Sequence, residues 1–511
     1  MIATQKYPVG LQDFKKIREQ NYVYVDKTMY ISGMANKGGY YFLSRPRRFG
    51  KSLLLSSMYY LFRGEEQLFN SLFIKDKWDF STTFPVVKIS FAEISFDTKG
   101  LSKSLNEILA EIADEHQVVL ESEEYNAQFR ELIRRLNAKY RQKVVILIDE
   151  YDKPVIHYLG VDTPTAIKNR DILKNFYSIM KDADPYLHMV FITGVSKFSK
   201  MSIFSDLNNL KDITLNEKFN AVCGITQQEL DACFANELQH CNINDVRDWY
   251  DGYTWNLDSR LRIYNPFSIL NFFDDNYNFK NYWFETGTPT FLVNLSRELR
   301  LYDLEDVETS ADMLASFNLE NIDLLSLMFQ TGYLAIKEYN PRFRSYKLSY
   351  PNKEVKESYV NNLLTAFAQN RRNPSAMIMQ NIEKALIQEN PELLKESINA
   401  AFSGIPYEIW QNDNEHFYHA IVHLLFTLMG VYINSQVQSR DGRLDALIQT
   451  DKAIFCLEFK LNQTAEAALQ QIKDRDYLLP YQNSGRRLHA IGINFSGKTK
   501  QVEKVLWEKL G

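Results

Sequence analysis

The sequence predicts an α/β protein in three parts: a parallel sheet built around a P-loop of the kind found in NTPases, a helical and winged-helix-like middle, and a C-terminal α/β module. Three observations carry this. Residues 40 to 62 read as strand, loop and helix, with Gly50-Lys51-Ser52 at the junction of loop and helix. Residues 144 to 150, Val-Val-Ile-Leu-Ile-Asp-Glu, form an unbroken apolar run ending in two carboxylates, the pattern of a central parallel strand covered on both faces. Near the C-terminus three strand-like runs precede a helix and a further strand, and the third run places Glu458 and Lys460 on one face.

The first element explains itself chemically. A phosphate site needs backbone N–H groups at a helix N-terminus, a lysine for the β- and γ-phosphates and a hydroxyl for Mg²⁺. Gly50, Lys51 and Ser52 supply these, with Arg48 and Phe49 completing the loop expected to hold ATP. The full pattern also wants a glycine five positions before Gly50, where this chain has Arg45 followed by Pro46, which favours an extended Arg45. On the second element Asp149 is the expected Mg²⁺ anchor and Glu150 the residue that polarises water. Asp152 stands next in line.

Composition bounds the rest. A chain of 511 residues with net charge −5 holds several domains and has no global basic footprint, so nucleic-acid contacts must be local. Its four cysteines form no Cys-x-x-Cys pair, which fits a reducing cytoplasm, and no apolar run reaches membrane-spanning length. The expected localisation is therefore cytoplasmic, with no membrane partner.

In chain order, 22 to 28 is a strand-like piece with Thr28 as a helix cap, Phe84 to Phe91 a strand, 101 to 116 and 125 to 139 amphipathic helices, and 165 to 182 a helix. Met189 to Gly194 is another apolar strand. In P-loop ATPases with an extra central strand, a polar residue at its end watches the γ-phosphate, a role for Ser196 or Thr193 here.

The strings Tyr24-Val25-Asp26-Lys27-Thr28, Arg45-Pro46-Arg47-Arg48-Phe49-Gly50-Lys51-Ser52, Asp149-Glu150-Tyr151-Asp152-Lys153-Pro154 and Trp249-Tyr250-Asp251-Gly252-Tyr253 resemble the bacterial AAA-ATPase-like family. Members often carry a C-terminal PD-(D/E)XK nuclease-superfamily module, and the resemblance spans nearly the whole chain. Absence of the first loop glycine is normal in that family.

Residues 251 to 372 read as mostly helical. Tyr333 to Tyr339 and Ser345 to Tyr350 flank a turn carrying Arg342 and Arg344, which suggests a winged-helix-like unit, read here as a lid rather than a DNA reader. Residues 370 to 375 make a candidate linker. The expected domains are thus 1–250, 251–372 and 373–511.

In the last of these, strands are expected at Val431 to Gln438, Arg443 to Gln449 and Ala453 to Leu461, then a helix from Ala465 to Leu479 and a last strand from His489 to Phe495. Burying Glu458 and Lys460 on so apolar a strand costs several kcal/mol unless they are paired or bind a metal. A Mg²⁺ site would account for them: Asp445 and Glu458 offer hard oxygen ligands, the Phe459 carbonyl a third, and Lys460 can orient or deprotonate the attacking water. The alternative is a buried Glu458–Lys460 ion pair. Asp445, Glu458-x-Lys460 and the element order resemble the PD-(D/E)XK superfamily, implying a restriction-endonuclease-like α/β domain in which Glu415 completes the metal shell and Gln471 is the superfamily's helical glutamine, with Gln470 beside it as a second candidate. His416, His419 and His423 recur at helical spacing without a fourth ligand, so His419 is read as a neighbour of that site and not as part of a zinc centre.

The function expected is ATP binding or hydrolysis coupled to Mg²⁺-dependent cleavage of phosphodiesters, with DNA as the partner and a homo-oligomer left open. A nucleotide-dependent switch or scaffold that binds nucleic acid without cutting is the other reading.

Overall fold

The computed structural model describes residues 6–197, 203–255, 261–284, 290–299, 304–314, 322–367, 375–403, 421, 424, 425, 427, 428, 436–440 and 444–510. The chain gathers into two compact units, one of residues 1–291 with 304–354, the other of residues 292–303 with 355–511.

The first unit is built on five parallel strands, β1 (Gly39–Ser44), β2 (Val86–Ser90), β3 (Val144–Asp149), β4 (Leu187–Gly194) and β5 (Leu210–Asp212), in the order β2-β3-β4-β1-β5. The extra central strand expected at Met189 to Gly194 is thus β4, lying between the strand before the phosphate loop and the strand ending in Asp149. Every residue of β3 is buried, which is why its sequence shows no polar alternation. Helices cover the sheet with narrow apolar stripes. Helix Tyr125–Tyr140 buries Tyr125, Phe129, Leu132, Ile133 and Leu136, the helical spacing read from sequence.

Residues 22 to 28 form no strand beyond a bridge between Lys6 and Tyr22. The cap of the following helix, Thr28–Lys37, comes from Asp26, whose Oδ1 accepts from the Thr28 N–H at 2.8 Å, while Thr28 Oγ1 accepts from the Ile74 N–H. Asp26 takes the capping role expected of Thr28 because its carboxylate reaches the N–H two residues on, as in an Asx turn.

Further along this unit, β6 (Ile225–Thr226) pairs with β7 (Ile263–Tyr264), and β8 (Val307–Ser310), β9 (Ala335–Asn340) and β10 (Ser345–Ser349) form an antiparallel sheet in the order β8-β10-β9. With helix Leu324–Thr331 before the β9–β10 hairpin, this is the winged-helix-like unit.

The second unit carries a five-stranded mixed sheet, β11 (Gln436–Arg440), β12 (Leu444–Gln449), β13 (Ala453–Leu461), β14 (Arg487–Ser496) and β15 (Gln501–Leu510), in that order. β13 and β14 are parallel and joined through helix Ala465–Asp474; the other pairs are antiparallel. Both faces of β13 are covered: Ile454 and Cys456 pack with Ile472 of that helix, while Phe459 meets Phe495, which in turn meets Phe402 of helix Pro391–Ser403.

Two expectations are corrected here. The helix ends at Asp474 rather than Leu479, and β14 is followed by one more strand, β15. Residues 501–510 mix charged with apolar residues, as an exposed edge strand does, and their apolar spacing also fits a helix; nine paired positions with β14 decide the matter.

Candidate functional sites

The phosphate loop leaves β1 at Ser44 and enters helix Lys51–Phe62 through Gly50, whose φ of 92° lies in the left-handed region; Arg48 is left-handed too, at 65°. Positive φ at alternate residues is the backbone form of concave N–H nests that bind anions. Lys51 is buried, and its Nζ donates to the carbonyls of Arg45 and Pro46, each at 2.9 Å. Burial pushes its ammonium below the ordinary lysine value, and Asp149 and Glu150 pull it back up.

Arg45, the residue in place of the first glycine, is wholly buried. Its guanidinium donates to the carbonyls of Ser44, Thr214 and Phe219 and lies 4.2 Å from the Trp255 ring. Burial lowers its pKa to about 10. Phe49 is buried edge-on against Tyr253 and Trp255. The Tyr-Asp-Gly-Tyr segment noted in the sequence therefore ends in Tyr253, one of the two rings that back the loop.

Asp149, at the end of β3, accepts from Thr193 Oγ1 and from the Glu150 N–H. Glu150 has φ of 51°, a strained setting for a residue with a side chain, and lies 3.4 Å from Lys153 Nζ. Gly50, Lys51, Ser52, Arg48, Glu150 and Lys153 share a cleft of about 360 Å³, within the range of small-molecule sites. An apolar pocket lined by Val25, Phe234 and Cys223 shares Pro8, Gly50, Leu53, Pro266 and Leu270 with that cleft.

Of the residues expected to watch the γ-phosphate, Thr193 is the one bonded to Asp149. Ser196 is buried, and its N–H and Oγ both donate to Asp152, as does the Val195 N–H. Asp152 thereby anchors the turn after β4. Its carboxyl is raised by burial and lowered by those bonds.

In the second unit, Glu458 is buried on β13. Lys460 Nζ lies 3.2 Å from its Oε1, and Gln471 Nε2 donates to the same oxygen. Gln470 bonds Asp474 instead, so Gln471 is the helical glutamine of the cluster. The register places Glu458 beside Gly492 of β14. A Cβ on Gly492 would fall 2.3 Å from the Ala465 carbonyl, so its bare backbone is what lets the glutamine-bearing helix close on the sheet. On the other side Ala446 pairs with Leu457, which sets the backbone positions of Asp445 and Glu458 opposite each other. The Asp445 side chain, Glu415, His416, His419 and His423 lie outside the described residues. Among the described residues no three metal-ligating side chains cluster. Lys473 and Arg487, two of the cations of this module, pair with Glu508 and Glu389.

Sequence reasoning missed Thr214, Phe219, Trp255 and Gly492. Only Gly492, a glycine inside an apolar strand, carried a local signal.

A P-loop cleft on a parallel sheet and a mixed α/β sheet bearing Glu-x-Lys define a two-module protein of the ATPase and nuclease folds. A family model described as predicted AAA-ATPase matches residues 8–204, and one described as PD-(D/E)XK nuclease superfamily matches residues 413–505. A protein of Azotobacter chroococcum mcd 1, described as "Uncharacterized protein in vnfD 5'region", is 37% identical over 525 residues, covering 100% of both chains. The chain belongs to this AAA-ATPase-like family with a C-terminal PD-(D/E)XK domain. Among the described residues no helix is long and apolar enough to cross a membrane.

Proposed function

We propose that the chain binds ATP with Mg²⁺ at the 45–52 loop and cleaves DNA with its C-terminal module, nucleotide binding or turnover governing the cut. The observation that carries this reading is the convergence of Lys51, Ser52 and Glu150 on one cleft, at the C-terminal ends of β1 and β3 and the start of a helix. The triphosphate meets Lys51 and the loop N–H groups, and the base enters the adjoining apolar pocket. Ser52 and Asp149 fit Mg²⁺ by their hard oxygen chemistry. Glu150 orients the attacking water, and Thr193 senses the γ-phosphate through Asp149.

In the nuclease module the buried Glu458 carboxylate, opposite Asp445 in register, suits a hard divalent cation, with Glu415 and the Phe459 carbonyl as further ligands. Bound there, Mg²⁺ would supply Lewis-acid polarisation of the phosphodiester. Lys460 holds the water or the developing charge, and Gln471 fixes the Glu458 carboxylate.

Plasmid cleavage with Mg²⁺, with and without ATP, tests the reading. Nicking or linearisation that responds to ATP and is lost in Asp445→Asn supports it. Nucleic-acid binding without cutting by the wild type moves the assignment to a nucleotide-dependent scaffold.

A further inference from the structure

We infer that Trp283 is a positioning residue of the phosphate loop: its indole N–H turns the Arg47–Arg48 peptide so that the Arg48 N–H faces the cleft. This rests on the nucleotide reading above and adds a residue well beyond the matched segment 8–204.

A trans peptide carries its C=O and N–H on opposite sides, and the described chain has no cis peptide bond. Trp283 Nε1 donates to the Arg47 carbonyl at 3.1 Å, so the Arg48 N–H points away from the indole. Arg47 and Arg48 line the cleft, whereas Trp283 does not, which puts the cleft on the side of the N–H. The same device recurs two residues on. Gly224 N donates to the Phe49 carbonyl at 3.1 Å, turning the Gly50 N–H the other way. Together the two anchored carbonyls aim the N–H groups of the two left-handed residues.

The indole is itself held in place. Trp283 N donates to Glu354 Oε1 at 2.7 Å, and Ser268 Oγ donates to Oε2 of the same buried carboxylate at 2.7 Å. The Tyr333 ring lies 5.2 Å away. Gly332, at φ of 92°, brings its backbone so near the loop that a Cβ there would fall 2.7 Å from Pro46 Cβ. A donor fixed in this way sets the peptide before any ligand arrives, so binding need not spend affinity on reorienting it.

Two replacements separate the hydrogen bond from the packing. Trp283→Phe removes the N–H and part of the ring; a benzothiophene analogue of tryptophan at position 283 keeps the bicyclic shape and replaces N–H with sulfur. Binding of inorganic tripolyphosphate, followed by calorimetry, is expected to weaken about tenfold in both, with Tm moved by no more than a few degrees. Wild-type tripolyphosphate affinity in the benzothiophene protein overturns the inference and leaves Trp283 a packing residue. Lys51→Ala run alongside distinguishes the two readings: if it leaves affinity intact, the nucleotide assignment itself fails, whereas loss in Lys51→Ala without loss in the position-283 proteins sinks only the positioning role.

Discussion

The two candidate sites treat buried charge in opposite ways. At the phosphate loop, the cations Arg45 and Lys51 are held by five main-chain contacts, to the carbonyls of Ser44, Thr214, Phe219, Arg45 and Pro46. In the C-terminal sheet, the anion Glu458 is held by two side chains, Lys460 and Gln471. A cradle of backbone groups depends on peptide direction and accepts an arginine where a glycine is usual. A cluster of side chains depends on residue type, so changing one member leaves another stranded. Function and stability should therefore separate at the first site and move together at the second.

Lys51→Ala is the sharpest test of the first half. ATP affinity should fall about a thousandfold, roughly 4 kcal/mol, in a titration calorimeter while Tm shifts by only a few degrees. An equal collapse in stability would erase the contrast.

Lys460→Met tests the second half. Glu458 is 3% exposed, so removing its cationic partner should destabilise the module by about 3 kcal/mol without Mg²⁺, as read by urea denaturation. Added Mg²⁺ should restore part of that loss. A change below about 1 kcal/mol would mean that Gln471 alone satisfies the carboxylate.

A carboxylate in the segment behind the phosphate loop sets the scale for a largely buried charge with poorer compensation. Burial raises the pKa of Asp251 to about 6, and its Oδ1 has no hydrogen-bond partner. In the unfolded chain it titrates near 4. Because the folded state holds the proton more tightly, this contribution to stability is complete below about pH 4 and disappears as pH rises through 6, a change of about 3 kcal/mol. Asp251→Asn should flatten the stability profile across that window, and an unaltered slope would rule the residue out.

The smallest effect concerns the end of β4. Thr193→Val should lower kcat about tenfold at unchanged KM, because it removes the hydroxyl on Asp149. Ser196→Ala should leave kcat alone and cost about 1 kcal/mol through Asp152. The reverse pattern in steady-state ATPase kinetics would return Ser196 to the phosphate.

Much of this was legible in the chain. The central strands announced themselves because residues such as Val144 to Ile148 are buried on both faces, and Glu458-x-Lys460 stood out because ions rarely occupy so apolar a strand. Helix–loop chemistry at Gly50-Lys51-Ser52 is local and equally readable. What escaped was non-local. Nothing around Arg45 says that its carbonyl partners lie at Thr214 and Phe219, and nothing around Trp283 says that its indole meets Arg47. β15 was hidden because its charged residues suit an edge strand and a helix alike.

Arg45 also sets an order of events in time. Its guanidinium sits in a hole closed by Thr214, Phe219 and Trp255, all synthesised after the strands of Asp149 and Thr193. A nascent chain released only as far as residue 204 already owns Lys51, Ser52 and both carboxylates, yet has nowhere to bury that arginine. The contacts that bury Arg45 in the finished fold are all available only once residue 255 has been made. Under the nucleotide reading proposed above, a recombinant fragment cut at residue 204 should come off the ribosome unable to hold nucleotide.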